Sequence, residues 1–317
     1  APTRTAWKAA FPSLRNSVLA IAIRFALYAN LMVLFGWPLF ALYGSRDKAS
    51  GPSPSQLLSL TLVAALLSVA GMLAMTAAMS GVAIIDVDQA SVTAMMFETP
   101  MGVAWQVRMA AVAAIAALAL VRSPVVGAAQ VAFAAAALAS LTWTGHGAAG
   151  EATKGMVQLV ADIVHLLAAG AWIGALAALG LMVARNASRL TSADFISMHH
   201  ALDGFANAGT VIVALLIITG SINTWILVGQ AGVGLVGSDQ YVQLLAIKLA
   251  LFTAMLGLAA MNRFRLTPAL SRDLDAGAVP SGALRALRRS IAIEAGLAAS
   301  VLAIVAWLGT LVPPASL

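Results

Sequence analysis

The feature that most constrains this chain is a series of apolar stretches, each about 20 residues long, that recurs along the whole sequence. A helix of about 20 apolar residues crosses the ~30 Å hydrocarbon core of a bilayer. Strands of a membrane barrel would instead alternate apolar and polar residues. Since 61% of the residues are hydrophobic and only 9% are charged, we predict an all-α, polytopic membrane helix bundle.

The apolar stretches, separated by glycine, proline and charged residues, predict eight transmembrane helices. They cover residues 16–43, 56–80, 100–121, 124–143, 155–184, 204–230, 240–263 and 285–312. We divide the bundle into an N-terminal four-helix half, residues 1–154, with a methionine-rich outer region, and a C-terminal four-helix half, residues 155–317. The first apolar stretch is too long and continuous for a cleavable signal peptide.

The positions of lysine and arginine predict the orientation, because these residues accumulate in cytoplasmic loops. Eleven of them follow the first, third, fifth and seventh spans, and four lie on the other side. We therefore expect both termini on the outer side, although three of those four lie close to the N-terminus. The basic residues cluster at membrane edges without interleaved aromatic residues, so we predict membrane lipid as a partner and no nucleic acid.

Several classes of function are excluded by what the sequence lacks. The chain contains no cysteine, which excludes disulfides, iron–sulfur clusters and thiolate metal ligands. It has no phosphate-binding loop, which argues against an ATP-driven pump. Neither a Ser-His-Asp arrangement nor paired carboxylates occur at a water-accessible position, and we predict that the protein is not an enzyme.

Eight polar side chains fall within the predicted spans, where a charge costs at least a few kcal/mol and needs a partner or a task. They are Arg24, Asn30, Arg108, Asp162, His165, Asn223, Lys248 and Glu294. We expect each of them to face the interior of the bundle.

The stretch "DIVHLLAAGAWIG" places Asp162 and His165 one helical turn apart. Gln158 and Trp172 each lie seven positions from His165, so all four share one face of the fifth span. Our hypothesis is that Asp162 accepts one ring N–H of His165 and leaves the other nitrogen free for a metal.

A second polar stripe lies on the seventh span, where four residues repeat every seven positions. It consists of Tyr241, Lys248, Met255 and Asn262. Lys248 either forms a structural ion pair with Asp162 or Glu294, or belongs with them to a gate or a proton-coupled switch.

The remaining histidines lie outside the predicted spans. His146, in "TWTGHG", follows the fourth span on the outer side and either joins His165 or forms a separate entry site. His199 and His200, in "FISMHH", fall in a cytoplasmic loop. They are either solvated surface residues or an exit site.

Methionines cluster near the predicted outer half of the bundle. The candidates are Met72, Met75, Met79, Met95, Met96, Met101 and Met156. Methionine often fills gaps in a core, but thioether and imidazole without thiolate form the ligand set expected for Cu(I). We therefore predict a copper site built from methionine, histidine and aspartate, with the acidic residues of the outer loop gathering cations first.

Four stretches of the second half resemble the CopD family, the copper-resistance D or copper-export-domain proteins of bacterial inner membranes. They are "ADIVHLLAAGAWIGAL" (161–176), "ALLIITGSINTWILVG" (214–229), "YVQLLAIKLALFTAMLGLAAMNRFRLTPAL" (241–270) and "LRRSIAIEAGLAASVLAIVAWLGTLVPP" (287–314). In the first half, the region around "TWTGHG" is similar. The family pattern carries over to His165, Trp172, Asn223, Lys248 and Glu294.

The resemblance implies an eight-helix inner-membrane protein that moves copper between periplasm and cytoplasm. Such proteins are often encoded beside, or fused to, a periplasmic copper-binding protein of the CopC type, which suits periplasmic termini. Transport direction, copper oxidation state and energy source stay open at this point.

Two other functions compete with copper transport. A b-type haem electron-transfer protein needs axial ligands on facing spans, and His165 is the one histidine firmly within a predicted span. A Soret band in the purified protein would favour haem. A purely structural partner of a periplasmic copper protein would assemble normally and bind no metal by itself.

Overall fold

The computed structural model describes residues 4–44, 51–121, 125–144, 152–185, 192–229, 239–269, 272 and 281–316. This part of the chain is helical and contains no strand, as predicted. Its helices are α1 Arg4–Tyr43, α2 Pro54–Ser80, α3 Gln89–Glu98, α4 Pro100–Leu118, α5 Val126–Ala139, α6 Ala152–Arg185, α7 Ser192–Val228, α8 Gln240–Met261 and α9 Ser281–Leu308. A π-helical turn, Asn262–Leu266, continues α8.

Eight helical stretches of the described residues are long and apolar enough to cross a membrane, which agrees with the predicted number. They are Ser17–Tyr43, Pro54–Ser80, Pro100–Leu118, Val126–Trp143, Gly155–Ala184, Ala208–Val228, Gln240–Ala269 and Leu284–Leu308. The helix α3 is short and lies between the second and third of them. The predicted loop around His199 and His200 is wrong, because α7 already begins at Ser192.

The helices α1 and α6 form the centre of the bundle, and they pack against each other more extensively than any other pair among the described elements. Glycines allow this approach: Gly36 of α1 faces Gly170 and Gly174 of α6, and a Cβ added at Gly36 or Gly174 would collide with the backbone of the other helix. Small residues at four-residue spacing are the usual means by which membrane helices come close. Helices from both halves of the chain therefore share one core, while the boundary after residue 154 stays a prediction.

The two ends of the bundle are defined by contacts between distant parts of the chain. At one end, the Arg24 guanidinium donates to the Gly309 carbonyl; we call this the terminal end, because α1 enters and α9 leaves there. At the other end, Gly44 lies against Gly204; we call this the opposite end. The predicted topology places the terminal end in the periplasm.

The short helix α3 at the terminal end is capped by Asp88, whose Oδ1 accepts the Ser91 backbone N–H at 2.6 Å. This bond lowers the pKa of Asp88 below its ordinary value of 3.8. A carboxylate with a lowered pKa stabilises the folded state above its ordinary pKa, and this contribution is lost as the pH falls through the lowered pKa. We expect Asp88→Ala to speed amide hydrogen exchange in residues 89–98 at neutral pH. In acid, the wild type is expected to exchange nearly as fast as this variant.

Exchange mass spectrometry between about pH 2 and pH 5, corrected for intrinsic rates, measures this effect. The control is Asp88→Asn, which keeps an acceptor at the cap but does not titrate. Its exchange is expected to be independent of pH over this range after correction. An Asp88→Asn variant with the same acid dependence as the wild type would show that another group titrates.

Candidate metal-binding site

The His165 ring on α6 is held by a hydroxyl of α7. Its Nδ1 lies 2.9 Å from Thr219 Oγ1, and the Thr219 hydroxyl donates its single hydrogen to the Leu215 carbonyl at 2.6 Å. The hydroxyl therefore accepts from Nδ1–H, which places the lone pair of the neutral ring on Nε2; the Leu216 carbonyl is a further backbone acceptor for the ring. The prediction that Asp162 fixes this tautomer is corrected: Thr219 does so.

A glycine allows α7 to approach the ring. A Cβ at Gly220 would lie 3.4 Å from His165 Cε1, which is closer than most such contacts. Sequence reasoning missed Thr219, although the signal was present: a hydroxyl residue directly precedes a glycine within an otherwise apolar span.

His165 lines a cavity of about 590 Å³ between α6, α7, α8 and α9. Met255 of α8 also lines this cavity and is 5% exposed. Ten residues of helix separate His165 from Gly155, so the ring lies about 15 Å along α6 from the terminal end. An imidazole and a thioether thus face one largely apolar cavity, and both are ligands that suit a soft cation.

The charged groups near this cavity belong to α6 and α8. Lys248 lines the cavity and interacts electrostatically with Asp162, which in turn interacts with Tyr241. Of the two predicted partners for Lys248, the structure favours Asp162 over Glu294. Asp162 is therefore the carboxyl group that lies within electrostatic range of Lys248.

Glu294 of α9 has a different set of partners and is only 2% exposed. Its Oε1 accepts the Trp172 indole N–H at 2.7 Å, and its Oε2 lies 3.2 Å from Asn262 Nδ2. Asn262 Oδ1 has no hydrogen-bond partner in the described part of the chain. Because an amide presents a donor or, after rotation, an acceptor, Asn262 can serve Glu294 in either protonation state.

Trp172 belongs both to the His165 cavity and to a second cavity nearer the opposite end. This second cavity has a volume of about 260 Å³, and its lining includes Trp172, Asn262 and Glu294. Trp172 also lines the first cavity. The indole is therefore shared by both cavities, and the carboxyl that accepts its N–H lines the second one.

The predicted methionine ligands are distributed over several places at the terminal end. Met72, Met75 and Met101 line a third cavity, of about 180 Å³. Met95 is buried, and its sulfur lies 3.5 Å from the Thr99 hydroxyl oxygen, which donates its hydrogen to the Met95 carbonyl at 2.6 Å. The other three do not line this cavity: Met96 on α3 is half-buried, and Met79 and Met156 are mostly exposed.

Other predicted residues are not brought to these cavities. Asn223 Oδ1 is buried without a hydrogen-bond partner among the described residues, and the residue lines none of the three cavities. His146 lies outside the described residues, and His199 and His200 belong to α7. Within the described ranges, no three histidine or acidic side chains come close enough to hold a metal together.

Comparison with known proteins gives two matching family models. The model described as "Copper resistance protein D-like, N-terminal domain" matches residues 15–156, and "Copper resistance protein D" matches residues 199–308. The similarity thus extends over the first half, where sequence analysis found it only around "TWTGHG".

A curated relative covers almost the whole chain. It is "Copper resistance protein D" of Pseudomonas syringae pv. tomato, which is 42% identical over 306 residues, or 93% of this chain and 97% of the relative. No solved structure matches the chain significantly.

Proposed function

This chain belongs to the copper resistance protein D family, and from that premise we propose that it carries copper ions across the bilayer through its helix bundle. The observation that supports this most is the His165 cavity, where Nε2 has an available lone pair and Met255 supplies a thioether. The proposal places the protein in the bacterial inner membrane with both termini in the periplasm.

The ligand types favour Cu(I) as the transported species. Imidazole and thioether are neutral and replace water around a soft monovalent ion without adding charge in the membrane. A doubly charged cation would leave more charge unpaired beside Lys248. In this proposal Asp162 offsets Lys248 rather than orienting His165, and it moves in to assist as a ligand when copper enters.

The terminal end offers the first contacts for an incoming ion. We propose that the exposed thioethers of Met79 and Met156, the methionines of the third cavity and His146 collect copper there. A periplasmic copper-binding protein of the CopC type is the proposed donor or acceptor at this end. His199 and His200 stay candidates for an exit site at the opposite end.

Trp172 and Glu294 are proposed to control passage between the two cavities. Copper bound at His165 reaches the second cavity only if the indole moves, and the indole is held by the Glu294 carboxyl. Protonation of Glu294 weakens this charge-assisted hydrogen bond. Proton uptake at Glu294 would thus couple copper movement to a pH gradient.

The test of the proposed site is His165→Gln. We expect the purified variant to bind Cu(I) at least about tenfold more weakly than the wild type, because the imidazole lone pair is replaced by a weak amide ligand. Met255→Leu is expected to weaken binding by a smaller factor, since leucine keeps the volume but not the sulfur. Competition with a chromogenic Cu(I) chelator measures both affinities.

The matched control for Met255→Leu is Met261→Leu, which changes a partly exposed methionine six residues further along the same helix. It is expected to bind Cu(I) as the wild type does. Unchanged affinity in both His165→Gln and Met255→Leu would remove this cavity from the copper path.

A further inference from the structure

We infer that the third cavity, at the terminal end, is a binding site for a small inorganic anion of the chloride type. The residue that carries this inference is Arg108 of α4, which is 4% exposed and lines the cavity. It lies eight residues from Pro100, or about 12 Å along the helix. A guanidinium at that depth requires a counter-charge.

The protein supplies Arg108 with only part of its hydrogen bonding in the described residues. Nε donates to Ser140 Oγ at 2.9 Å, and the Ser140 hydroxyl donates to the Ala137 carbonyl at 2.7 Å. Nη2 has no partner there. The electrostatic partner that the structure gives Arg108 is the phenol of Tyr28, which is not a counter-ion at neutral pH.

A second guanidinium strengthens the positive field of this cavity. Arg24 of α1 also lines it and donates to the Gly309 carbonyl. No aspartate or glutamate is among the described residues that line the cavity. Two arginines without a carboxylate, beside the phenol of Tyr28 as a further donor, form a set of donors with a missing acceptor.

The size and depth of the cavity favour a small anion over a lipid headgroup. Its volume is about 180 Å³, and residues of α1, α2 and α4 form most of its lining. Arg108 lies about 12 Å below the end of α4, so a headgroup phosphate would have to leave the interface to reach it. A halide with a few waters fits without such displacement.

A bound anion would also affect the binding of copper in this cavity. This consequence rests on the proposed function. Met72, Met75 and Met101 line the same cavity as both arginines, and fixed positive charge opposes the entry of a cation. A bound anion neutralises this field and allows the three thioethers to receive Cu(I). Anion binding itself does not depend on copper, and it is tested in copper-free protein.

The experiment measures equilibrium binding of radiolabelled chloride to the purified full chain in detergent, with gluconate replacing chloride at constant ionic strength. We expect saturable binding of one chloride per chain. Arg108→Gln is expected to weaken it by about tenfold or more, because a charge-assisted donor is replaced by a neutral one. Arg24→Gln changes a half-buried residue and is expected to weaken chloride binding less. It provides the test if Arg108→Gln does not fold.

The matched control is Arg289→Gln, which removes an exposed arginine of α9 remote from the cavity and is expected to leave chloride binding unchanged. Absence of saturable binding in the wild type would overturn the inference. So would wild-type affinity in both Arg108→Gln and Arg24→Gln. Displacement of chloride by phosphatidylglycerol in mixed micelles, but not by bromide, would overturn the assignment to a small inorganic anion.

Discussion

Gly174→Ala is expected to lower the free energy of unfolding by about 3 kcal/mol, although alanine is intrinsically the better helix former by about 1 kcal/mol. The new methyl group would meet the Cα and carbonyl carbon of Gly36. Backbone atoms cannot turn aside as a side chain does, so α1 and α6 must separate along their whole contact. Unfolding in mixed micelles of increasing SDS fraction, followed by tryptophan fluorescence, measures the change.

The control for this prediction is Gly257→Ala on α8. No heavy atom lies within 4 Å of the position that its Cβ would take. Only the higher helix propensity of alanine then acts. We expect the free energy of unfolding to equal that of the wild type or to be up to about 1 kcal/mol higher. Equal stability of Gly174→Ala and Gly257→Ala would mean that α1 and α6 lie further apart than the structure shows.

The interior faces of α6 and α8 could be predicted from the sequence, because a seven-residue repeat keeps side chains on one helical face in any bundle. Gln158 and Trp172 are buried on α6, and Tyr241 and Met255 are buried on α8. The eight spans could also be predicted, because length and hydropathy are properties of each stretch by itself. Both signals are local and do not depend on which helices become neighbours.

The partners of the polar groups could not be predicted, because they depend on helix packing. Thr219 is 54 residues from His165, and Glu294 is 122 residues from Trp172. Periodicity indicates that each side chain faces inward but not which neighbour it meets. Asp162 was the nearest candidate for His165 in sequence, whereas a neighbouring helix supplies the actual acceptor.

The same limit of sequence-based prediction applies to the methionine cluster at the terminal end. Met72, Met75 and Met79 lie within about 60° of arc on α2, yet the first two line a cavity and the third is 65% exposed. The difference arises because Met79 lies in the last turn of α2, beyond the neighbours that cover the other two. The angular position of a methionine on the helix therefore predicts which face it occupies, but not how deeply the side chain is buried.

The second large effect is expected from Glu294→Gln, which should abolish the response of copper uptake to a pH gradient while preserving the fold and Cu(I) binding at His165. Glutamine keeps both contacts: its Oε1 accepts the Trp172 N–H, and its amide nitrogen donates to Asn262 Oδ1, which has no partner in the described part of the chain. The variant imitates the protonated carboxyl but does not titrate. Copper uptake into proteoliposomes, with and without the gradient, measures the response.

Two further variants make this result specific to Glu294. Asp239→Asn removes a carboxylate at the start of α8, where asparagine keeps an acceptor for the Val242 backbone N–H, and is expected to keep the wild-type response. Glu294→Leu removes both hydrogen bonds, leaves Trp172 Nε1 unpaired and is expected to cost about 1–3 kcal/mol of stability for each lost partner. If Glu294→Gln retained the wild-type response, proton coupling would have to use another group. Asp162 is then the carboxyl to test, because it interacts electrostatically with Lys248, which lines the His165 cavity.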